Sequence, residues 1–313
     1  MQYPVRAYQH KKDRESFINL KSVSWITAIS KRVIGEDLEQ DFYLLNLMDN
    51  VKMTEQDFPQ IHQYVDDACQ KLMLPYKPTL FLDTDADPKT ICIGEKKPML
   101  VISNALIELL DEKELQAAIA HEIGHLVCGH SFHKILVENF SGLTQVMGAV
   151  PGLTALSIAA RLPLFEWFRK ADLTADRAAL LVVENPEVVQ SMIGKLAGGS
   201  SQMAERVSQE NLLNQCDEIE ELTEKLKSGG AMDKMSYLFS SAVMNGIMRK
   251  SPWPAMRIKE IRDWSCSTQY AEVRNGIFPK DEAEVESEPE TDQEDEKTTS
   301  AFDKLMFWKK DED

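Results

Sequence analysis

Apolar residues recur at helical spacing through the first fifty positions, as in Ile26, Ile29, Val33 and Ile34, the one-face repeat of an amphipathic helix. A second run, residues 58–74, carries Ile61, Val65, Ala68, Cys69 and Leu72 on one face, and Pro75 and Pro78 then interrupt it. TLFLD (79–83) and MLVIS (99–103) are short apolar segments between the turn-rich stretches TDADPK and GEKKP, and they predict strands. A helical turn or two at 105–110 precedes DEKELQAAIAHEIGHLVCGH, whose leading acids suit a helix N-terminus. Further helices are predicted at 166–179, after Pro163, and at 187–197, 205–227, 234–248 and 255–264, with glycine pairs beginning at Gly198 and Gly229 as breaks. The pattern predicts an α+β chain, mostly α, with a small β-sheet. Residues 1–50 read as a helical extension, 51–275 as the main domain and 276–313 as a tail.

Charge changes the picture only at the C-terminus. The formal net charge is −16, but ten acids and no bases fall within 281–296, leaving −6 for the rest. That run cannot bury enough apolar surface to fold, so disorder is expected there. It ends in AFDKLMFWKKDED, where Phe302, Leu305, Met306, Phe307 and Trp308 make an apolar tip that reads either as a docking segment for a partner or the chain itself or as a frayed end with no role. The body lacks a basic stripe, which argues against nucleic acid as a partner. Cys69, Cys92, Cys128, Cys216 and Cys266 are scattered, odd in number and form no CxxC pair, which suits a reducing compartment. MQYPVRAYQHKKDRE has no apolar core of a signal peptide, so a cytoplasmic location is expected.

The chemistry lies in HEIGH. Residues four apart on a helix stand one above the other, so His121 and His125 can aim at one ion. Two imidazoles at that spacing suit Zn²⁺, and a catalytic site needs a third protein ligand and an open position. Glu122 lies about 100° round the helix, placed to reach water on the ion without binding the metal. An HExxHxxGxxH site is excluded, because Cys128 and Ser131 occupy the Gly and His positions. A carboxylate from a later helix remains, and WFRKADLTADRAALL offers Asp172 with Asp176 one turn on. His130, five places beyond His125, lies about 140° away round the helix and reads as a packed or hydrogen-bonded helix-end histidine.

AAIAHEIGHLVCGH followed by RKADLTADRAALL resembles the HtpX and CAAX prenyl protease family of zinc metallopeptidases, which is of the gluzincin type. LLDEKELQAAIA and SPWPAMRIKEI share the family's look, and the resemblance covers roughly residues 50–270. It implies a zincin-like domain with one Zn²⁺ per chain, held by His121, His125 and Asp172. In the family's R-x-x-E-x-x-A-D pattern Arg169, Ala175 and Asp176 match, and Asp172 stands where the family has Glu. By the resemblance Asp176 orients a ligating histidine. The Asp shortens the ligand arm by about 1.5 Å. Ser251 stands before Pro252 where family members often have His, so a polar stabiliser is missing there. Tyr237 or another tyrosine could serve instead, and the sequence does not choose.

Residues 139–160 carry no charge, a length that could cross a membrane. One crossing would put His125 and Asp172 on opposite sides of a bilayer, and two need about 40 apolar residues. A buried hairpin or a dip into a membrane surface is therefore expected, and peripheral membrane contact stays open. The sequence thus predicts a zinc metalloendopeptidase acting on peptides or unfolded proteins, with Glu122 as base. MLVIS is a candidate edge strand for an extended substrate, with an interior strand as the alternative. A proteolytically weak zinc-binding adaptor or chaperone-like protein is the rival function, favoured by Asp172 and Ser251.

Overall fold

The computed structural model describes residues 1–21, 36–131, 153–198, 203, 206, 208–228 and 253–279. Residues Met1–Phe278 form one compact unit. The helix predicted at 234–248, Tyr237, Ser251, most of the uncharged segment and the apolar tip lie outside the described residues.

In chain order the elements are α1 (Val5–Tyr8), α2 (Lys11–Lys21), α3 (Glu36–Asp49), β1 (Val51–Lys52), α4 (Pro59–Lys71), β2 (Thr79–Asp83), β3 (Thr90–Ile93), β4 (Met99–Ser103), α5 (Asn104–Leu109) and α6 (Glu112–Val127). There follow α7 (Leu153–Val183), α8 (Pro186–Gly198), α9 (Gln209–Ser228), α10 (Pro254–Ser265) and α11 (Thr268–Arg274). The chain is mostly helical with one small mixed sheet, as the sequence predicts. Helix α7 starts well before residue 166 and runs through Pro163, which removes one backbone donor without ending the helix. Among the described residues, no helix is long and apolar enough to cross a membrane.

The sheet order is β1-β2-β4-β3, with β2 and β4 parallel and the other pairs antiparallel. MLVIS is therefore an interior strand, and the edge beside it is β3, TICI, which the sequence reading passed over. All five residues of β4 are buried, because both faces of the sheet are covered. Leu80, Cys92, Leu100 and Ile102 join the main core, which includes Val65 and Ala68 of α4 and Ile119 and Ile123 of α6. On the opposite face Phe81, Met99 and Val101 pack under Phe42 and Tyr43 of α3. A four-residue strand between turns carries too little periodicity to stand out from a loop.

Helix α6 is fixed at its start by its own sequence. Asp111 accepts from the backbone N–H groups of Lys113 and Glu114, while Glu114 accepts from Asp111 N–H, forming a capping box. Glu114 also accepts from Ser191 and Lys195, which ties α8 to this end of the helix.

Candidate metal centre

His121, Gly124 and His125 share one face of α6, and Asp172, Ala175 and Ala178 come from the α7 segment packed against it. Gly124 sets how close the two helices come. A Cβ built there would lie 2.7 Å from the Ala178 Cβ and 3.4 Å from the Ala175 Cα. With hydrogen at 124 and methyls at 175 and 178, the backbones approach closely enough for a short carboxylate to span the gap. Asp172 carries its carboxylate from this close contact to within 4 Å of both imidazoles.

The donors converge. The Nε2 atoms of His121 and His125 are 3.1 Å apart, and Asp172 Oδ1 lies 3.9 Å from the first and 3.3 Å from the second. A triangle with these edges has a point about 2.0 Å from all three corners, the length of a zinc–nitrogen or zinc–oxygen bond. All three residues are buried and, among the described residues, they are the group placed to hold an ion. Two imidazole nitrogens and one carboxylate oxygen form a donor set that fits a divalent metal with one position left open.

The far sides of these side chains are held as well. His121 Nδ1 lies 2.9 Å from Asp176 Oδ1, so a neutral ring presenting Nε2 to a metal donates from Nδ1 to that carboxylate. Arg257 of α10 donates to both oxygens of Asp176, through Nε and Nη2, each at 2.7 Å. Its Nη1 lies 3.5 Å from Asp172 Oδ2. Burial would raise the Asp176 carboxyl, but the charge and hydrogen bonds of Arg257, with His121, hold it below the usual carboxylate range. Burial would likewise weaken the charge on Arg257, yet Asp176 and Asp172 outweigh it and keep the guanidinium protonated.

Sequence reasoning missed Arg257. Its signal is a charged residue on the buried face of α10, in line with Ala255, Ile258, Ile261 and Trp264, where an unpaired charge would be costly.

Glu122 is also buried, and its Oε2 accepts the Cys92 N–H of edge strand β3 at 3.0 Å. The edge strand therefore orients the carboxylate that the sequence reading assigned as base. The Arg169 guanidinium lies 4.5 Å from the ring centre of Trp253.

After Val127 the helix ends in a Schellman motif. Gly129 has φ +69°, Gly129 N–H bonds to Leu126 O, and His130 N–H bonds to His125 O. That turn folds His130 back onto the last turn of α6, so its Nδ1 lies 3.2 Å from His125 Nδ1. Gly129 ends the helix, so His130 does not lie where a continued helix would carry it. His130 meets His125 at Nδ1, on the side of the ring away from the Nε2 atom that faces His121 and Asp172.

Residues 55–265 match the model of Peptidase family M48. The chain belongs to peptidase family M48. Among relatives of this M48 chain, a plastoglobule-localized metallopeptidase 48 of Arabidopsis thaliana, described as chloroplastic, is 29% identical over 84% of this chain and 73% of its own. A protease HtpX homolog of Halobacterium salinarum is 29% identical over 31% of this chain and 33% of its own. Another from Dictyoglomus thermophilum is 24% identical over 46% and 56%. The chain thus spans a third to just over half of those two HtpX relatives. No solved structure matches.

Proposed function

We propose that this M48 peptidase is a zinc endopeptidase acting on extended peptides or unfolded protein, with His121, His125 and Asp172 holding one Zn²⁺. The convergence of three buried donors around a point at metal-bond distance carries the reading. A zinc ion held there would supply a Lewis acid and lower the pKa of water beside it. Glu122 takes a proton from the attacking water and passes it to the leaving amine. The Cys92 N–H holds that carboxylate in place. An extended substrate adds to β3, the outer strand, rather than to MLVIS.

The five free thiols favour a reducing compartment such as the cytoplasm. The adaptor reading is favoured by Asp172 and Ser251, and the approach of Asp172 to both imidazoles supports the peptidase reading over it.

The test is hydrolysis of an unstructured protein such as casein by metal-free and zinc-reconstituted chain. Activity that disappears with a chelator and returns with zinc supports the proposal. Equal activity in metal-free protein contradicts it.

A further inference from the structure

The N-terminal helix lies outside the segment matched by the family model, yet it reaches the metal centre. Asp13 of α2 is fully buried. Its Oδ1 accepts from Trp167 Nε1 at 3.1 Å and its Oδ2 from Thr174 Oγ1 at 2.6 Å, both on α7. Thr174 Oγ1 in turn accepts the His10 N–H at 3.0 Å. Asp13 Oδ2 also lies 3.4 Å from His130 Nε2, and His130 Nδ1 lies 3.2 Å from His125 Nδ1. Phe17 stacks on Trp167 and meets the His130 ring edge-on, so rings fill the space round this contact.

We propose that Asp13, acting through His130, is a positioning residue for His125, which makes the N-terminal helix a working part of the metal centre. The inference rests on the zinc reading of that centre. If His125 binds metal through Nε2, its remaining proton is on Nδ1 and is donated to His130 Nδ1. His130 then carries its own proton on Nε2, where the Asp13 carboxylate faces it. One set of tautomers fits both contacts: His125 Nδ1–H faces His130 Nδ1 at hydrogen-bond distance, and His130 Nε2–H faces Asp13 Oδ2 as an ion-pair contact at 3.4 Å without hydrogen-bond alignment. His121 is supported in parallel by Asp176 and Arg257, so each ligating imidazole has a carboxylate behind it, one direct and one through a second ring. A buried carboxylate with two fixed donors cannot swing away, so it locks the tautomer and ring angle of His125.

The test uses the full chain with Asp13→Asn, His130→Gln, the double variant, and Ser16→Ala. Ser16 accepts from Lys170 in the same helix–helix contact. Zinc affinity is measured by competition with a chelating indicator, ligand geometry by the visible spectrum of the Co²⁺-substituted protein, and folding by the melting temperature of the metal-free chain. Asp13→Asn and His130→Gln should each weaken zinc binding about 10–100-fold and shift the Co²⁺ bands. The double variant should lose no more than the larger single loss, because both break one chain of contacts. Ser16→Ala should bind zinc like wild type. Wild-type zinc affinity and an unchanged Co²⁺ spectrum in folded Asp13→Asn overturn the proposal, and so do losses that add in the double variant. If Asp13→Asn does not fold, unchanged affinity and spectrum in His130→Gln overturn it equally. Wild-type chain that takes up no zinc contradicts the reading of the centre itself, a different result from zinc uptake that ignores Asp13.

Discussion

Gly124→Ala probes the claim that helix packing compensates for a short ligand. The new Cβ would sit 2.7 Å from the Ala178 Cβ, whereas carbon atoms rest at about 3.5–4.0 Å. Helices α6 and α7 must therefore part locally by roughly 0.8–1.3 Å, or shear by a similar amount. Metal–ligand distances tolerate only about ±0.2 Å, and Asp172 has no spare methylene with which to follow. Overpacking costs about 1–3 kcal/mol, offset by about 1 kcal/mol from replacing glycine inside a helix. Metal-free stability should thus fall by roughly 0–2 kcal/mol, while zinc affinity falls about 10–100-fold, as when the support of a ligand is disturbed. The assay pairs denaturant unfolding of the metal-free chain with zinc competition. Adding Ala178→Gly removes the clash and leaves Ala175 Cα at 3.4 Å, so the double variant should recover most of the zinc affinity. Wild-type zinc binding by Gly124→Ala, or no recovery in the double variant, would refute the packing argument.

Arg257→Leu leaves the buried Asp176 carboxylate without its cation and should destabilise the fold by about 3–5 kcal/mol, read by denaturant unfolding; a loss under 1 kcal/mol would contradict the pairing. Asp172→Ala should lose most zinc, whereas Asp172→Glu should retain it, both read by metal analysis after dialysis. Equal zinc in Asp172→Ala and wild type would move the third ligand elsewhere. Asp111→Ala removes the capping box and should cost about 1 kcal/mol with zinc affinity unchanged, since the cap lies more than two helical turns from His121.

HEIGH was legible because its chemistry is local: a helix with two histidines four apart and a glutamate between them fixes its own geometry. Asp172 and Asp176 were legible as a pair one turn apart on a later helix, and the spacing also brings Ala175 onto the facing side. What packs against what was less legible. The edge position of β3 follows from pairing across the sheet, and the Cys92–Glu122 contact joins residues 30 apart. Asp13 meets Thr174 across 161 residues, and no local pattern marks an aspartate in an amphipathic helix as buried. His130 was readable in principle. Gly129 after a helical run announces a Schellman turn, which brings the next residue back to the last turn of the helix.

The central claim is that buried donors of this M48 chain hold zinc while Glu122 moves the proton. Zinc content and casein cleavage measured together on wild type and Glu122→Gln test it most directly. The account predicts one zinc per chain in both proteins and loss of nearly all hydrolysis in the variant. Zinc-loaded Glu122→Gln that still cleaves casein at the wild-type rate, or wild type that cleaves without zinc, would contradict it.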